Sequence, residues 1–449
     1  MIAQEQLSQS MRVFLASFAV CLSVALINGY PLLYDDSIDY LGFNPWVGEE
    51  SIRSITLDFL ARSLYPVFGA WSVILIQTAI LSYLISLFFA QYLTGGRILE
   101  LSALILFSQL PFFAGFAMAD VWFVIFVLAF LSVIKTFRWP VFLILAFAIT
   151  VHGSHLYLFI ISTMLALLIF EERLKIIKVS IASILLAIIF TSLVNGLMGN
   201  DKNKELSWSI LGSKILYQIP EAIDDKCTDD PSFLMCSHRE NIQEGVSDWC
   251  EDTDCFLWEE QSFFHTIDRG ELRTASKELF TYTLMNKPVA LTKATVSDFL
   301  YLFEVTCNTE FGALDKTDPY NTPMISNAEY ERTLQAAGIW GHKSPAACLM
   351  LKSFKLITYF LGAIGLLVLS RFFHSQEANK VALFCVIVFL VNDLFFAAVS
   401  GGYTRYHDRG LFLLIIPALL AISELRKPSE LNSSLHVTIN RLKKSLRLM

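Results

Sequence analysis

Apolar residues run in long blocks along this chain, and polar residues collect in the gaps between them. A helix that crosses a bilayer needs about 20 consecutive apolar residues. On that rule the blocks predict about ten transmembrane helices: Met11–Leu33, Pro66–Tyr92, Ile98–Ala117, Val121–Thr136, Trp139–His152, Leu156–Phe170, Ile176–Met198, Cys348–Phe372, Lys380–Ser400 and Gly410–Ile422. The two blocks between Trp139 and Phe170 are short, and Val151-His152-Gly153-Ser154-His155 interrupts them. The first block is too long for the core of a cleaved signal peptide. No small-residue cleavage site follows it, so it reads as a retained signal anchor.

Between the seventh and eighth blocks lies the long segment Asn200–Ala347, in which acids outnumber bases about two to one. That balance opposes a nucleic-acid role. The segment reads as largely helical: Asp268–Met285 and Pro288–Phe303 carry apolar residues at helical spacing, separated at Asn286-Lys287-Pro288, while Pro319 to Pro323 reads as loop. The expected class is therefore an all-α polytopic membrane protein with a mainly helical outer domain. Its expected divisions are a transmembrane module over 1–199, an extracytoplasmic domain over 200–347, three closing spans over 348–425 and a basic tail over 426–449.

Composition agrees with this pattern. The chain has 449 residues, 55% hydrophobic and only 17% charged, against about 25% charged in a soluble domain. The formal net charge of -7 decides little, because the charges are segregated along the chain. Lysine and arginine favour the cytoplasmic side of a membrane. Lys135, Arg138, Arg173, Lys175, Arg371, Lys380 and the tail from Arg426 all fall on alternate ends of the blocks, which puts both termini in the cytoplasm. The other face then collects Asp35, Asp36, Asp39, Asp120, His152, His155, the long segment and the Tyr403–Arg409 run. Every group with candidate chemistry falls on that one face.

Six of the eight cysteines, Cys227, Cys236, Cys250, Cys255, Cys307 and Cys348, lie in or beside the outer segment. An even set in an oxidising compartment implies disulfides. The competing zinc reading needs tighter spacing than Cys250-x4-Cys255 offers. Neighbouring pairs, Cys227–Cys236, Cys250–Cys255 and Cys307–Cys348, are the expected connectivity. The sole N-glycosylation signal, Asn432-Ser433-Ser434, falls in the cytoplasmic tail, which leans towards a bacterial membrane.

Several residues on the outer face suit a site. Asp35 and Asp36 follow the first span directly, where a carboxylate in a partly dry cleft accepts a proton from an attacking hydroxyl. A solvated acidic loop is the plainer reading of both. Asp120 sits in a short turn, where it suits either a site or a helix N-cap. His152 and His155 flank Gly153; a pair without a third ligand is a weak metal signal, and hydrogen-bonded interfacial histidines fit as well. Arg405, Tyr406 and Arg409 precede the last span. Guanidinium groups there suit a bidentate phosphate clamp, and they break the charge rule that interfacial anchors would follow. Asp393 lies inside an apolar block beside Asn392, a depth at which an ionisable group has a partner or a function. Glu49, Glu50 and Asp58 read as a solvated face.

Three patches resemble the GT-C superfamily of membrane glycosyltransferases, in its bacterial, polyprenyl-phosphate-sugar-dependent form. Gly29-Tyr30-Pro31-Leu32-Leu33-Tyr34-Asp35-Asp36-Ser37-Ile38-Asp39-Tyr40 is similar to their first-loop acidic motif. Ala119-Asp120-Val121 resembles their second acidic position, and Arg405-Tyr406 resembles the pair before a final apolar helix. The outer segment here precedes the last three spans, whereas many members carry theirs at the C-terminus. The resemblance implies an inverting transfer of sugar from a polyprenyl-phosphate donor to a lipid, glycan or protein acceptor at the periplasmic face of the inner membrane. Asp36, with Asp35 as the alternative, would be the base, with Asp120 also catalytic. Arg405 and Arg409 would hold the donor phosphate, with Tyr406, His152, His155 and Asp39 as further substrate contacts. Members differ in metal use, and no cofactor is assigned. The alternatives are an O-antigen polymerase or ligase type of enzyme, and a transporter or non-catalytic envelope subunit.

Overall fold

A computed structural model of the chain describes residues 2–33, 37, 54–92, 98–198, 207–250, 252–253, 255–259, 261–306, 332, 344–372 and 376–425. These residues are almost wholly helical, with no strand beyond one isolated bridge among them. They divide into two compact units. The first is Met1–Asn200 with Val305–Phe389 and Asp408–Met449, and the second is Asp201–Glu304 with Leu390–His407.

The helices of the first unit are α1 (Ile2–Asn28), α2 (Ile55–Phe68), α3 (Trp71–Tyr92), α4 (Ile98–Phe107), α5 (Leu110–Ala114), α6 (Trp122–Lys135), α7 (Trp139–Thr150), α8 (Gly153–Ile169) and α9 (Arg173–Met198). The expected span Pro66–Tyr92 is split. Gly69 takes φ 54°, a left-handed turn that ends α2, so Pro66 belongs to α2 rather than α3. The expected span Ile98–Ala117 is split as well. Pro111 lacks the N–H that an uninterrupted helix needs, and Gln109 takes φ 60° between α4 and α5. The carbonyls at and beyond the end of α5 are bonded from α3. Gln77 Nε2 donates to Ala114 O at 3.0 Å and to Phe116 O at 2.8 Å. Irregular backbone survives among apolar helices only where such partners are buried with it.

The helix α6 is the centre of this unit, with every side chain from Trp122 to Ile134 buried. On α9, by contrast, Ile181, Leu185, Ile189 and Leu193 are exposed. Apolar side chains turned outward on a long helix suit lipid rather than water.

The second unit comprises α10 (Ser207–Gln218), α11 (Glu221–Asp229), α12 (Arg239–Glu244), α13 (Cys255–Trp258), α14 (Arg269–Asn286) and α15 (Pro288–Tyr301). The expected outer helices thus appear at α14 and α15, broken at Lys287. Asp268 caps α14, its Oδ1 accepting from Gly270 N at 2.8 Å. The core gathers Leu216, Met235, Phe256, Phe263 and Leu279. Gly212 of α10 lies so close to Ser276 of α14 that a Cβ there would fall 2.5 Å from its Oγ. Disulfides join Cys227 to Cys236 and Cys250 to Cys255, as the spacing led us to expect. Each closes a short loop and is worth roughly 2–3 kcal/mol. Cys348 is also disulfide-bonded, while Cys307 lies outside the described residues. Lys214 is buried in this unit, and desolvation pushes its ammonium below the usual lysine range, against the pull of Asp298 at 2.7 Å.

The remaining helices are α16 (Pro345–Phe372), α17 (Gln376–Val399), α18 (Thr404–Asp408) and α19 (Leu411–Leu425). In the first unit α16 packs along α19 with the backbones nearly touching: a Cβ at Gly365 would lie 2.4 Å from Ala418 N. The ends expected to face the cytoplasm do meet in space. Lys135 pairs with Glu377, Lys380 with Glu171 at 2.5 Å, and Lys175 donates to Lys135 O at 3.1 Å.

Among the described residues, five helices are long and apolar enough to cross a membrane: Gln9–Asn28, Trp71–Tyr92, Arg173–Leu197, Pro345–Arg371 and Gln376–Val399. The other five expected spans fall on shorter apolar helices. For example, α4 has 10 residues, about 15 Å of helix against a hydrocarbon core of about 30 Å.

Candidate active site

The run that leads into the first acidic cluster is tied to the run that leads into Asp120. Leu32 N–H donates to Gly115 O, and Ala117 N–H donates to Leu32 O, both at 3.0 Å, making a parallel bridge of Leu32 with Phe116. Because the bridge is parallel, both chains leave it in the same direction. One continues from Leu33 towards the acidic run, the other through Ala119 to Asp120. Asp35, Asp36 and Asp39 themselves lie outside the described residues.

Asp120 is buried at the entrance to α6, and its partner is Arg409. Arg409 NH1 donates to Asp120 Oδ1 at 3.4 Å, and the guanidinium lies 5.1 Å from the centre of the Phe123 ring. A second ion pair follows from the neighbouring residue: Asp408 Oδ1 lies 3.1 Å from Lys355 Nζ of α16, and both side chains are buried. Two acids and two bases therefore meet among apolar helices in balanced pairs. Buried charge is tolerated only in such company. Lys355 escaped the sequence reading, although a lone lysine inside an apolar block carries the same signal that singled out Asp393. Asp58, expected on a solvated face, is instead buried in the first turn of α2, where a helix N-terminus favours a carboxylate.

The two histidines have local roles. His152 caps α8, its Nδ1 accepting from Ser154 N at 3.2 Å. His155 is fully buried; its Nδ1–H donates to Ala148 O at 2.9 Å, which leaves Nε2 as the acceptor nitrogen, without a hydrogen-bond partner among the described residues. Its ring packs against Phe126. No cluster of three His, Cys, Asp or Glu side chains with metal-binding geometry occurs among the described residues.

The second unit holds the rest of the Tyr403–Arg409 run. The Arg405 guanidinium lies over the Tyr406 ring at 5.2 Å, and that ring stacks on Phe396 at 3.8 Å. Arg405 is buried rather than spread on a surface. Asp393, deep in α17, holds His407: Nδ1 and Oδ2 are 2.8 Å apart and both side chains are inaccessible. Asn392 Nδ2 donates to Tyr406 O at 2.6 Å. The polar pair inside α17 thus fixes α18, and the sequence reading missed His407 as its partner. Each unit therefore contains part of the expected set: Asp120, Arg409, His152 and His155 in the first, Arg405 and Tyr406 in the second.

No protein-family model matches this chain, and neither a characterised protein nor a solved structure shows significant similarity to it.

Proposed function

We propose that the protein is an inverting membrane glycosyltransferase that moves a sugar from a polyprenyl-phosphate donor to a lipid, glycan or protein acceptor. One observation carries the reading: the Leu32–Phe116 bridge sets the chain entering the acidic run beside the chain entering Asp120, whose carboxylate is held by buried Arg409. Asp120 thereby lies at one end of an apolar bundle, where a lipid-linked substrate would reach it. In this scheme the acceptor hydroxyl oxygen attacks the anomeric carbon and its proton passes to the Asp36 or Asp35 carboxylate. The bond from that carbon to the phosphate oxygen breaks, and the polyprenyl phosphate leaves with the electron pair. Arg405 stabilises the departing negative charge. Arg409, paired with Asp120, holds that carboxylate at the entrance to α6. The site would open to the periplasm of a bacterial inner membrane, with both termini in the cytoplasm.

The test is transfer from a radiolabelled polyprenyl-linked sugar to a membrane acceptor. Asp36→Asn is expected to insert normally and lose roughly 10²–10⁴-fold in rate. Full activity in both Asp36→Asn and Asp35→Asn would remove these acids as the base.

A further inference from the structure

The helix α15 carries apolar side chains on the wrong side for a water-facing domain. Its inner face is formed by Leu291 and Ala294, which pack on the core of the second unit, and by Asp298, which is buried. The opposite face sets exposed Lys293 among large apolar side chains, with Thr292 and Ser297 at its edges. Val289, Val296 and Leu300, spaced seven and four residues apart on one side of a 3.6-residue helix, are 80%, 46% and 62% exposed. Met285, at the end of α14, is 75% exposed as well. A face that mixes exposed large apolar side chains with a lysine is the pattern of a helix lying in a membrane interface.

The position of α15 indicates what that neighbour is. Lys214 Nζ bonds Asp298 at 2.7 Å and also the carbonyl of Ala397, so the end of α15 is fastened to the last turn of α17. Tyr301 lies against Gly402, just past that turn. Since α17 is long and apolar enough to span a bilayer, its end at Val399 marks the level at which the chain leaves hydrocarbon. The exposed stripe begins at that level. Tyr301 is a residue that favours the membrane interface, and exposed Lys293 within the stripe can extend its ammonium to lipid phosphate.

We infer that α15 is an interfacial helix, lying on the membrane with Val289, Val296 and Leu300 set into the boundary between headgroups and acyl chains. The inference rests on α17 spanning the bilayer and is independent of the transferase reading. It means that the outer domain docks on the lipid surface rather than standing clear of it.

The experiment places an environment-sensitive fluorophore on single cysteines at Val289, Leu300, Leu383 and Glu240, in a Cys21→Ala/Cys385→Ala background with the disulfides intact. The protein is reconstituted in phosphatidylcholine–phosphatidylglycerol vesicles containing lipids brominated near the headgroup or deep in the chain. Leu383, exposed on α17, reports the span; Glu240, exposed on α12, reports water. The expected result is a loss of intensity at Val289 and Leu300 comparable with that at Leu383, larger with shallow than with deep bromines, and none at Glu240. Quenching at Leu383 alone would overturn the inference while leaving the span intact. No quenching at Leu383 would remove its premise. Labels at Val289 and Leu300 shielded from both brominated lipid and aqueous iodide would mean a protein partner instead, which also overturns it. Equal quenching at Glu240 would mean that the stripe has no special place, and would overturn it too.

Discussion

Arg405 is the residue on which the proposed donor site most depends. Its guanidinium lies over Tyr406, and that ring is itself held on Phe396. Lysine keeps the charge but loses the planar fork and most of the stacking. Arg405→Lys is therefore expected to slow transfer by about 10-fold, and Arg405→Ala by roughly 10²–10³-fold, as for loss of a transition-state donor. The measurement is rate against donor concentration; wild-type behaviour of the lysine variant would exclude a bidentate clamp. The pair Lys355–Asp408 makes a separate claim. Lys355→Met leaves a carboxylate buried without its cation, a change that costs about 3–5 kcal/mol. Thermal melting in detergent should show a large fall for Lys355→Met and a substantial recovery when Asp408→Asn is added. Equal instability of single and double variants would mean that the pair is not what holds these helices. Asp120, Arg405 and Arg409 were legible in the sequence because charge is rare in such a chain. Their partners were not: Asp120 and Arg409 are 289 positions apart, and no local pattern relates residues at that separation.

Helices were legible where the apolar run was long and uniform, and less so where backbone geometry broke it. The spans at α9, α16 and α17 lie within a few residues of expectation, because nothing inside them stops a helix. The breaks at Gly69 and Gln109 lie inside runs that are apolar throughout, so hydropathy alone passes over them; Pro111 was the available signal for the second. Thr358 Oγ1 shows how such a break is sustained, since it donates to Phe107 O at 2.8 Å where the helix can no longer do so. Close approach of α16 to α19 depends on the absence of a side chain at Gly365, where a Cβ would lie 2.4 Å from backbone. Gly365→Ala is expected to destabilise the protein by about 1–3 kcal/mol through overpacking. Gly196→Ala on α9, where a Cβ meets open space, should be neutral or stabilising by up to about 1 kcal/mol. Melting midpoints of the two variants compare them directly; equal midpoints would show that α16 and α19 can separate at little cost.

At the scale of the whole molecule, the two disulfides of the second unit imply an oxidising compartment for it. Cys227, Cys236, Cys250 and Cys255 are expected to accept a mass tag only after reduction, whereas Cys21 and Cys385, buried and free, should accept it on denaturation alone. Four thiols of this unit reactive before reduction would contradict both the pairing and its oxidising compartment. The sequence by itself determined the helical class, the alternation of charge along the apolar blocks, the set of cysteines that could be oxidised and the set of residues worth suspecting. Each depends on composition or on spacing within a few turns, and the hydrophobic effect reads both directly. Only the tertiary structure decided that Leu32 bridges to Phe116, that Arg409 faces Asp120 and Lys355 faces Asp408, that His407 is held by Asp393, and that α15 turns an apolar stripe outward. Those outcomes depend on which helices pack together and at what rotation. Burial then forces each charge to find an opposite one, whatever their distance along the chain.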